Sequence, residues 1–247
     1  MIDSLDETLR LTESNWGSAA IMDFSKVDGY PEHPGSPAIE VTDEGIQDAA
    51  LRFRGKRVTL LNFASGTMPG GGTRYGSTAQ EECLCLSSGL LHGLEGLLEF
   101  YERNRADDAP HECYDHMIWS EDVPLIRDGH FALVEPMKVQ VITYPAPVAS
   151  KRVYAGAGHF GDQAVQGDLL RAIFHRRCRH VVRRANKDGT EVLILGAWGC
   201  GAYGNDPLMV AQEFQKAIAT QAGSIPRVVF AVYGLASNRE TFKQVLT

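Results

Sequence analysis

The sequence has 247 residues, of which 44% are hydrophobic and 22% are charged, and its formal net charge is −7 at pH 7. This length suits one large domain or a domain with an extension, and the composition is that of an ordinary globular protein. The acidic balance argues against a general nucleic-acid-binding protein, whose binding surface would be basic.

The five cysteines favour reduced thiols inside a cell, because their number is odd and no CxxC pair occurs. The acidic N-terminus lacks an apolar core, so neither a secretory signal nor an Arg-rich transit peptide is predicted. No apolar run approaches the length of a transmembrane helix. We therefore expect an intracellular, cytoplasmic protein with no membrane partner, or a nuclear one if the source is eukaryotic.

Residues 1–54 are predicted to form a mostly helical N-terminal extension that packs on the core domain, residues 55–247. Helices are expected over residues 3–13 and from 42 to about 54, where Thr-Asp-Glu-Gly resembles a helix start. The Gly, Pro and Asp content of residues 14–36 indicates an irregular connection. Residues 39–41 are predicted to form a short strand.

Strand patterns alternate with helix patterns after residue 57, which is typical of an α/β domain with a largely parallel or mixed sheet. Strands are predicted over residues 58–63, 117–119, 123–126, 138–143, 191–195 and 227–232. Helices are predicted over residues 79–103, with a break near Gly89 or Gly93, and over 162–186, 207–222 and 237–246.

A glycine loop follows the first of these core strands and ends in two carboxylates. Gly70, Gly71 and Gly72 lack a Cβ, so the backbone here can approach a ligand closely. The N–H groups at the next helix start favour an anion, which Glu81 and Glu82 would repel. We therefore expect these carboxylates to perform acid–base chemistry on a bond next to a phosphate.

A second glycine loop, residues 196–207, follows the strand over 191–195 and precedes a helix that Asn205 or Asp206 can cap. Ligands of open α/β sheets bind outside the carboxyl ends of the strands, where both loops lie. Two such loops indicate a ligand with two phosphates, or with a phosphate and a ribose. The first loop lacks the Gly-Lys-Ser/Thr of a P-loop, so an ATPase is not expected. Residues 199–204 match GxGxxG, but they lie too near the C-terminus for a dinucleotide-binding fold, so a dehydrogenase is not expected either.

The pattern GGG, seven residues, then QEE at residues 70–82 resembles the signature of poly(ADP-ribose) glycohydrolases. The stretches LNFAS, LGAWGCGAYGNDP, WSEDVPLIRD and VITYPAP resemble the microbial, short form of that family. This likeness implies a macrodomain-like three-layer α/β/α sandwich with a mixed sheet. It also implies a metal-independent enzyme without a cofactor, which hydrolyses the ribose–ribose O-glycosidic bonds of poly(ADP-ribose) to release ADP-ribose. Its partners would be this polymer, ADP-ribose and ADP-ribosylated macromolecules, without sequence-specific nucleic-acid binding.

The resemblance also implies roles for the residues of the first loop. Glu82 would protonate the leaving ribose oxygen and then activate a water, while the substrate's own diphosphate stabilises the cation. Glu81 points about 100° away on a helix and would orient the sugar through its hydroxyl groups. Gln80 would hold the loop or Glu81, and Asn62 would contact the ribose near the scissile bond.

In the second loop, the resemblance implies a diphosphate site made of backbone N–H groups. These groups belong to Gly199, Cys200, Gly201, Ala202 and Tyr203. The Tyr203 ring would in addition stack on a ribose or on adenine. Trp198 is expected in the core, and Cys200 is expected to be an inert small residue rather than a nucleophile.

Simpler interpretations of these residues stay open. Glu81 and Glu82 would also complement a helix N-terminus, Asn62 could be a turn former, and Tyr203 could pack in the core. The eight histidines show no metal-binding spacing, and His159 has no assigned role. The basic cluster, Arg176, Arg177, Arg179, His180, Arg183 and Arg184, is either a solvated helix face or a docking patch for an anionic polymer.

Two alternative functions remain at this stage. The chain could be a macrodomain that binds ADP-ribose without cleaving it, although the intact Glu81–Glu82 pair favours an enzyme. It could also hydrolyse another ADP-ribose linkage, because Thr73, Leu86, Leu91 and Tyr203 depart from the residues common in the family.

Overall fold

The computed structural model describes residues 2–24, 31–106, 115–149 and 167–247, so His159 and Cys113 lie outside the described residues. The strands are β1 (Ser18–Asp23), β2 (Ala38–Thr42), β3 (Val58–Phe63), β4 (His116–Arg127), β5 (Leu133–Tyr144), β6 (Val192–Leu195) and β7 (Arg227–Ala231). The α-helices are α1 (Ile2–Thr12), α2 (Ile46–Leu51), α3 (Gln80–Ser87), α4 (Leu90–Glu95), α5 (Leu98–Ala106), α6 (Gly167–Lys187), α7 (Pro207–Gln221) and α8 (Ala236–Leu246). The predicted α/β class is confirmed.

The seven strands form one mixed sheet in the order β1-β4-β5-β3-β6-β7-β2. The β1–β4 and β4–β5 pairs are antiparallel, whereas β5, β3, β6, β7 and β2 pair in parallel. Strand β3 lies at the centre of the sheet and is buried on both faces, which explains its nearly continuous apolar sequence.

Helices cover both faces of this sheet, as the predicted three-layer α/β/α sandwich requires. Leu60 of β3 packs with residues of α1–α5 on one face. The next residue, Leu61, packs with α6, α7 and α8 on the other face, because successive side chains of a strand point to opposite sides. No helix of the described residues is both long enough and apolar enough to cross a membrane.

The N-terminal residues contribute strands as well as helices. The irregular connection predicted over 14–36 is wrong for Ser18–Asp23, which pairs with β4 as edge strand β1. This strand is only partly buried and therefore shows no strong apolar pattern. Strand β2 forms the opposite edge by pairing with β7. The domain boundary after residue 54 stays a prediction.

The long helix predicted over residues 79–103 is instead three short ones, α3, α4 and α5. The first interruption falls at Ser88 and Gly89, where a break was expected, and the second at Gly96 and Leu97. The strands predicted over 117–119 and 123–126 are one strand, β4, whose pairing with β5 shifts register between Ser120 and Val123. An irregularity of this kind separates two apolar runs without ending the strand.

The basic cluster on α6 is partly built into the fold, so neither a solvated face nor a docking patch describes Arg177 and His180, which are both buried. Arg177 is buried, and it donates to the Asp115 carboxylate and the Pro145 carbonyl, each at 3.1 Å. The guanidinium of Arg184 lies 3.9 Å from the centre of the Trp119 ring. Burial lowers the pKa of His180 to about 4. This part of α6 therefore fixes the helix to β4 and β5.

Candidate active site

The two glycine loops lie at the same edge of the sheet. The first begins after β3 and the second after β6, and these central strands pair in parallel. Their carboxyl ends therefore meet, as expected of a ligand site in an α/β sheet. Helix α3 brings Glu81 and Glu82 to this edge in its first turn.

Glu81 points back toward the end of β3. Its Oε1 accepts a hydrogen bond from Asn62 Nδ2 at 3.1 Å, and its Oε2 accepts one from the Ser65 N–H at 2.7 Å. Burial raises the pKa of Glu81 to about 8, although the Ser65 and Asn62 hydrogen bonds oppose this shift. The nearby charge of Glu82 raises the pKa further. Glu81 is therefore mostly neutral at pH 7, which relieves the repulsion between the two side chains.

Glu82 points to the glycines instead. Its Oε1 accepts a hydrogen bond from the Gly72 N–H at 2.8 Å. The left-handed Gly71 (φ +56°) lies so close that a Cβ there would be 2.5 Å from Glu82 Oε1 and 2.9 Å from Glu81 Oε2. The close approach that these glycines permit is thus to the two carboxylates. Gly70 serves packing, since its Cβ would be 2.6 Å from the Leu91 side chain.

Gln80 fixes helix α3 to strand β3. Its Oε1 accepts from the Phe63 N–H at 2.8 Å, and its Nε2 donates to the Leu61 carbonyl at 2.9 Å. These bonds engage backbone groups within the last three residues of β3. Gln80 therefore holds the loop, one of the two arrangements expected, and makes no hydrogen bond to Glu81.

Asn62 is buried at the end of β3 and has an unused acceptor. Its Nδ2 donates to Glu81 and also to Thr143 Oγ1, the latter at 3.2 Å, while its Oδ1 has no hydrogen-bond partner among the described residues. A buried carbonyl oxygen without a partner is costly, so a donor from a ligand would be favourable here. Sequence analysis missed Thr143 and Ser65. Thr143 ends a predicted strand and pairs with Asn62 across β5 and β3.

The second loop is held in shape by Asn205. Its Nδ2 donates to the Gly199 carbonyl at 3.0 Å and to the Pro147 carbonyl at 2.9 Å. A Cβ on the left-handed Gly199 (φ +73°) would be 2.5 Å from that nitrogen, so only glycine fits. Asp206, not Asn205, caps α7, because its side chain accepts from the Leu208 N–H at 3.0 Å.

The predicted diphosphate donors of this loop differ in availability. The N–H of Cys200 already donates to the Ala197 carbonyl at 3.1 Å, so Cys200 is removed from the set of donors in this structure. The N–H groups of Gly199, Gly201 and Ala202 have no backbone acceptor in the part of the chain that the structure describes. These three groups are the better candidates for binding an anion.

Trp198 lies in the core as predicted, and the stacking of Tyr203 on a ligand stays a prediction. Trp198 is fully buried, and its Nε1 donates to the Tyr144 carbonyl at 3.1 Å. Burial raises the pKa of the Cys200 thiol to about 12, so it stays protonated and is a poor nucleophile. Tyr203 packs partly against the core, and its hydroxyl donates to the Ala64 carbonyl at 3.3 Å.

Comparison with known proteins identifies the family. Residues 10–128 match the family model of the microbial-type PARG catalytic domain, where PARG is poly(ADP-ribose) glycohydrolase. The chain is 31% identical to a solved poly(ADP-ribose) glycohydrolase from Thermomonospora curvata bound to the inhibitor ADP-HPD (TM-score 0.74), covering 98% of this chain and 88% of that one. It is 30% identical to the enzyme from Deinococcus radiodurans in complex with ADP-ribose (TM-score 0.77), covering 98% of this chain and 96% of that one.

A search of curated protein sequences found no significant match. The sequence identity to the solved structures, over nearly the whole chain, shows the family without such a match. The chain belongs to the microbial-type poly(ADP-ribose) glycohydrolase family.

Proposed function

We propose that this chain hydrolyses the ribose–ribose O-glycosidic bonds of poly(ADP-ribose), releasing ADP-ribose, with Glu82 as general acid and then general base. The observation that carries the proposal is the placement of Glu82. One of its oxygens is held by the Gly72 N–H, and the carboxylate makes no other hydrogen bond within the described residues. The second oxygen is thus available to a substrate at the edge where both glycine loops meet.

The chemistry needs a proton donor and an activated water. Cleavage builds oxocarbenium character at the anomeric carbon while the leaving ribose oxygen takes a proton. In its acid form Glu82 gives that proton, and as a carboxylate it then takes one from the attacking water. Gly72 holds the carboxylate in one position through both steps, which keeps its free oxygen aimed at the reacting atoms.

Glu81 and Asn62 would orient the sugar. A neutral Glu81 presents an O–H group as well as an acceptor, and Asn62 Oδ1 is a buried acceptor without a partner in the described residues. Together they can hydrogen-bond neighbouring ribose hydroxyls. The N–H groups of Gly199, Gly201 and Ala202 would bind the diphosphate, and its charge would stabilise the cation that forms.

Metal independence is part of the proposal, because both proton transfers are given to Glu82. The physiological substrate would be polymer attached to ADP-ribosylated macromolecules. The test is incubation with poly(ADP-ribose) in EDTA, with products resolved by size and mass. We expect ADP-ribose to be released by the wild type and not by Glu82→Gln.

Two results would contradict parts of this proposal. Turnover that EDTA abolishes and Mg²⁺ restores would contradict metal independence and the mechanism. Polymer that binds to the wild type and is never cleaved would instead indicate a binding module.

A further inference from the structure

A tight turn directly follows the three glycines and carries an exposed aromatic ring. Thr73–Tyr75 form a single turn of 3₁₀ helix. The Gly72 carbonyl accepts from the Tyr75 N–H at 2.9 Å and from the Ser77 N–H at 3.1 Å. Arg74 ties the turn to α4 through an ion pair with Glu95 at 2.7 Å. The backbone that carries Tyr75 is therefore fixed.

The side chain of Tyr75 takes no part in holding this turn. It is 81% exposed, and it makes no hydrogen bond, ion pair or ring contact in the part of the chain that the structure describes. A single exposed apolar side chain is ordinary on a protein surface, so exposure alone indicates nothing. Tyr75 is a candidate binding residue because its turn begins at Gly72, which holds Glu82.

Gly72 connects the turn to the proposed general acid. Its N–H holds Glu82 Oε1, and its carbonyl holds the turn that carries Tyr75. Glu81 is held instead at the end of β3, where Asn62 donates to it. The turn thus begins at the residue that holds Glu82 and not at the one that holds Glu81.

The leaving group of the proposed reaction carries a base. Each ADP-ribose unit contains one adenosine ribose and one distal ribose, so a head-to-tail ribose–ribose polymer joins the distal ribose of one unit to the adenosine of the next. The oxygen that Glu82 protonates therefore belongs to an adenosine. Its adenine is attached to the same ribose, immediately beyond the leaving oxygen.

We propose that Tyr75 is a binding residue for the leaving group and stacks on the adenine of the adenosine whose ribose oxygen departs. A flat ring on a fixed turn provides a stacking surface that needs little ordering when the base binds. Such a contact strengthens binding of the polymer and not of free ADP-ribose. The one adenosine of ADP-ribose belongs to the unit that is released, so no second adenosine remains for Tyr75. This inference rests on the proposed function and adds a specificity-determining residue to it.

The test is a comparison of two ligands in the Glu82→Gln background, where neither is consumed. A dimer of ADP-ribose contains the leaving adenosine, and ADP-ribose does not. A base–aromatic stack is worth about 1–3 kcal/mol, so Tyr75→Ala should weaken dimer binding by about 5- to 150-fold. The affinity for ADP-ribose should stay within about twofold.

Further variants separate stacking from other effects. Tyr75→Phe should retain dimer affinity, whereas Tyr75→Leu, which has bulk but no aromatic face, should lose it. Leu133→Ala is the matched control, because it removes another exposed apolar side chain at the far end of β5. It should change neither affinity.

Unchanged dimer affinity in Tyr75→Ala, or an equal loss for both ligands, would overturn the inference. A loss in Tyr75→Phe as large as in Tyr75→Ala would overturn stacking as its basis. The proposed function is tested separately, by incubating the wild-type protein with the dimer. Absence of cleavage there would contradict the proposed function and not the role of Tyr75 in binding.

Discussion

The hydroxyl of Tyr203 donates a hydrogen bond to the carbonyl of Ala64, and this bond joins the two glycine loops. Ala64 lies between Asn62 and Ser65, the two residues that hydrogen-bond Glu81. The second loop therefore supports the backbone that positions the Glu81 carboxyl group, which we propose to orient the ribose. An aromatic residue without a hydroxyl could pack in the same place but could not make this connection.

Replacing Tyr203 by Phe and by Ala separates the hydroxyl from the ring. Tyr203→Phe should lower the free energy of unfolding by about 0.5–1.5 kcal/mol, the usual net contribution of one hydrogen bond. Its affinity for ADP-ribose should be nearly unchanged, because the hydroxyl is engaged within the protein. Tyr203→Ala should weaken ADP-ribose binding by about 1–3 kcal/mol if the ring stacks on the ligand. Denaturant unfolding and calorimetric titration measure these quantities, and a large affinity loss in the Phe variant would mean that the hydroxyl binds the ligand.

Glu82→Gln should abolish turnover while keeping ADP-ribose affinity within a few-fold. The amide is nearly isosteric, and its oxygen can still accept from the Gly72 N–H. It cannot exchange a proton, and a positioned acid or base typically contributes about 10²–10⁴ in rate. Glu81→Gln should lower binding and turnover together, since its proposed role is to orient the ribose. Single-turnover cleavage beside calorimetry tests both, and wild-type cleavage by Glu82→Gln would contradict the assignment.

Gly71→Ala should reduce turnover through the carboxylates. The added Cβ would lie 2.5 Å from Glu82 Oε1, so the side chain must move. A displacement of about 1 Å in a catalytic group can cost about 10²-fold in rate. Gly189→Ala is the control, because that glycine is also left-handed (φ +74°) but has open space around it. Both variants should lose roughly 1–2 kcal/mol of stability from backbone strain. Equal activity in the two variants would show that crowding of Glu82 is unimportant.

The raised pKa of Glu81 predicts a specific dependence of stability on pH. Between the ordinary value of 4.5 and about 8, the folded chain holds a proton that the unfolded chain releases. The free energy of unfolding should therefore fall as the pH rises through this window, by up to about 1.4 kcal/mol per pH unit, and level off above it. Glu81→Gln has no such group, so the difference between wild type and variant isolates the effect. A difference that does not vary between pH 5 and pH 8 would contradict a neutral Glu81.

Local sequence patterns predicted the parts of this protein that depend on neighbours in the chain. The apolar run before Asn62 and the one before Gly196 indicated strands, and the glycines after them indicated loops at one sheet edge. The different directions of Glu81 and Glu82 followed from helix geometry. The structure agrees, since one carboxylate contacts Asn62 and Ser65 and the other contacts Gly72.

What the sequence did not predict depends on contacts between distant residues. Strand β1 is stabilised by β4, about a hundred residues later, and its own pattern is weak. Arg177 looks like a surface residue in an arginine-rich stretch, yet Asp115 and Pro145 accept its hydrogen bonds in the interior. The pKa of Glu81 likewise depends on burial by the whole fold. No local pattern encodes such partners.

The two edge strands have a consequence for how the chain reaches its native state. Strand β2 is made early in synthesis, but its partner β7 is made near the end, and about three quarters of the chain lies between them. Until β7 emerges, the polar backbone of β2 has no native neighbour. A fragment that starts after residue 54 would lack both β1 and β2, so it would present β4 and β7 as open strand borders that invite pairing between molecules. The first fifth of the chain thus covers the borders of β4 and β7 with strands that are themselves only partly buried.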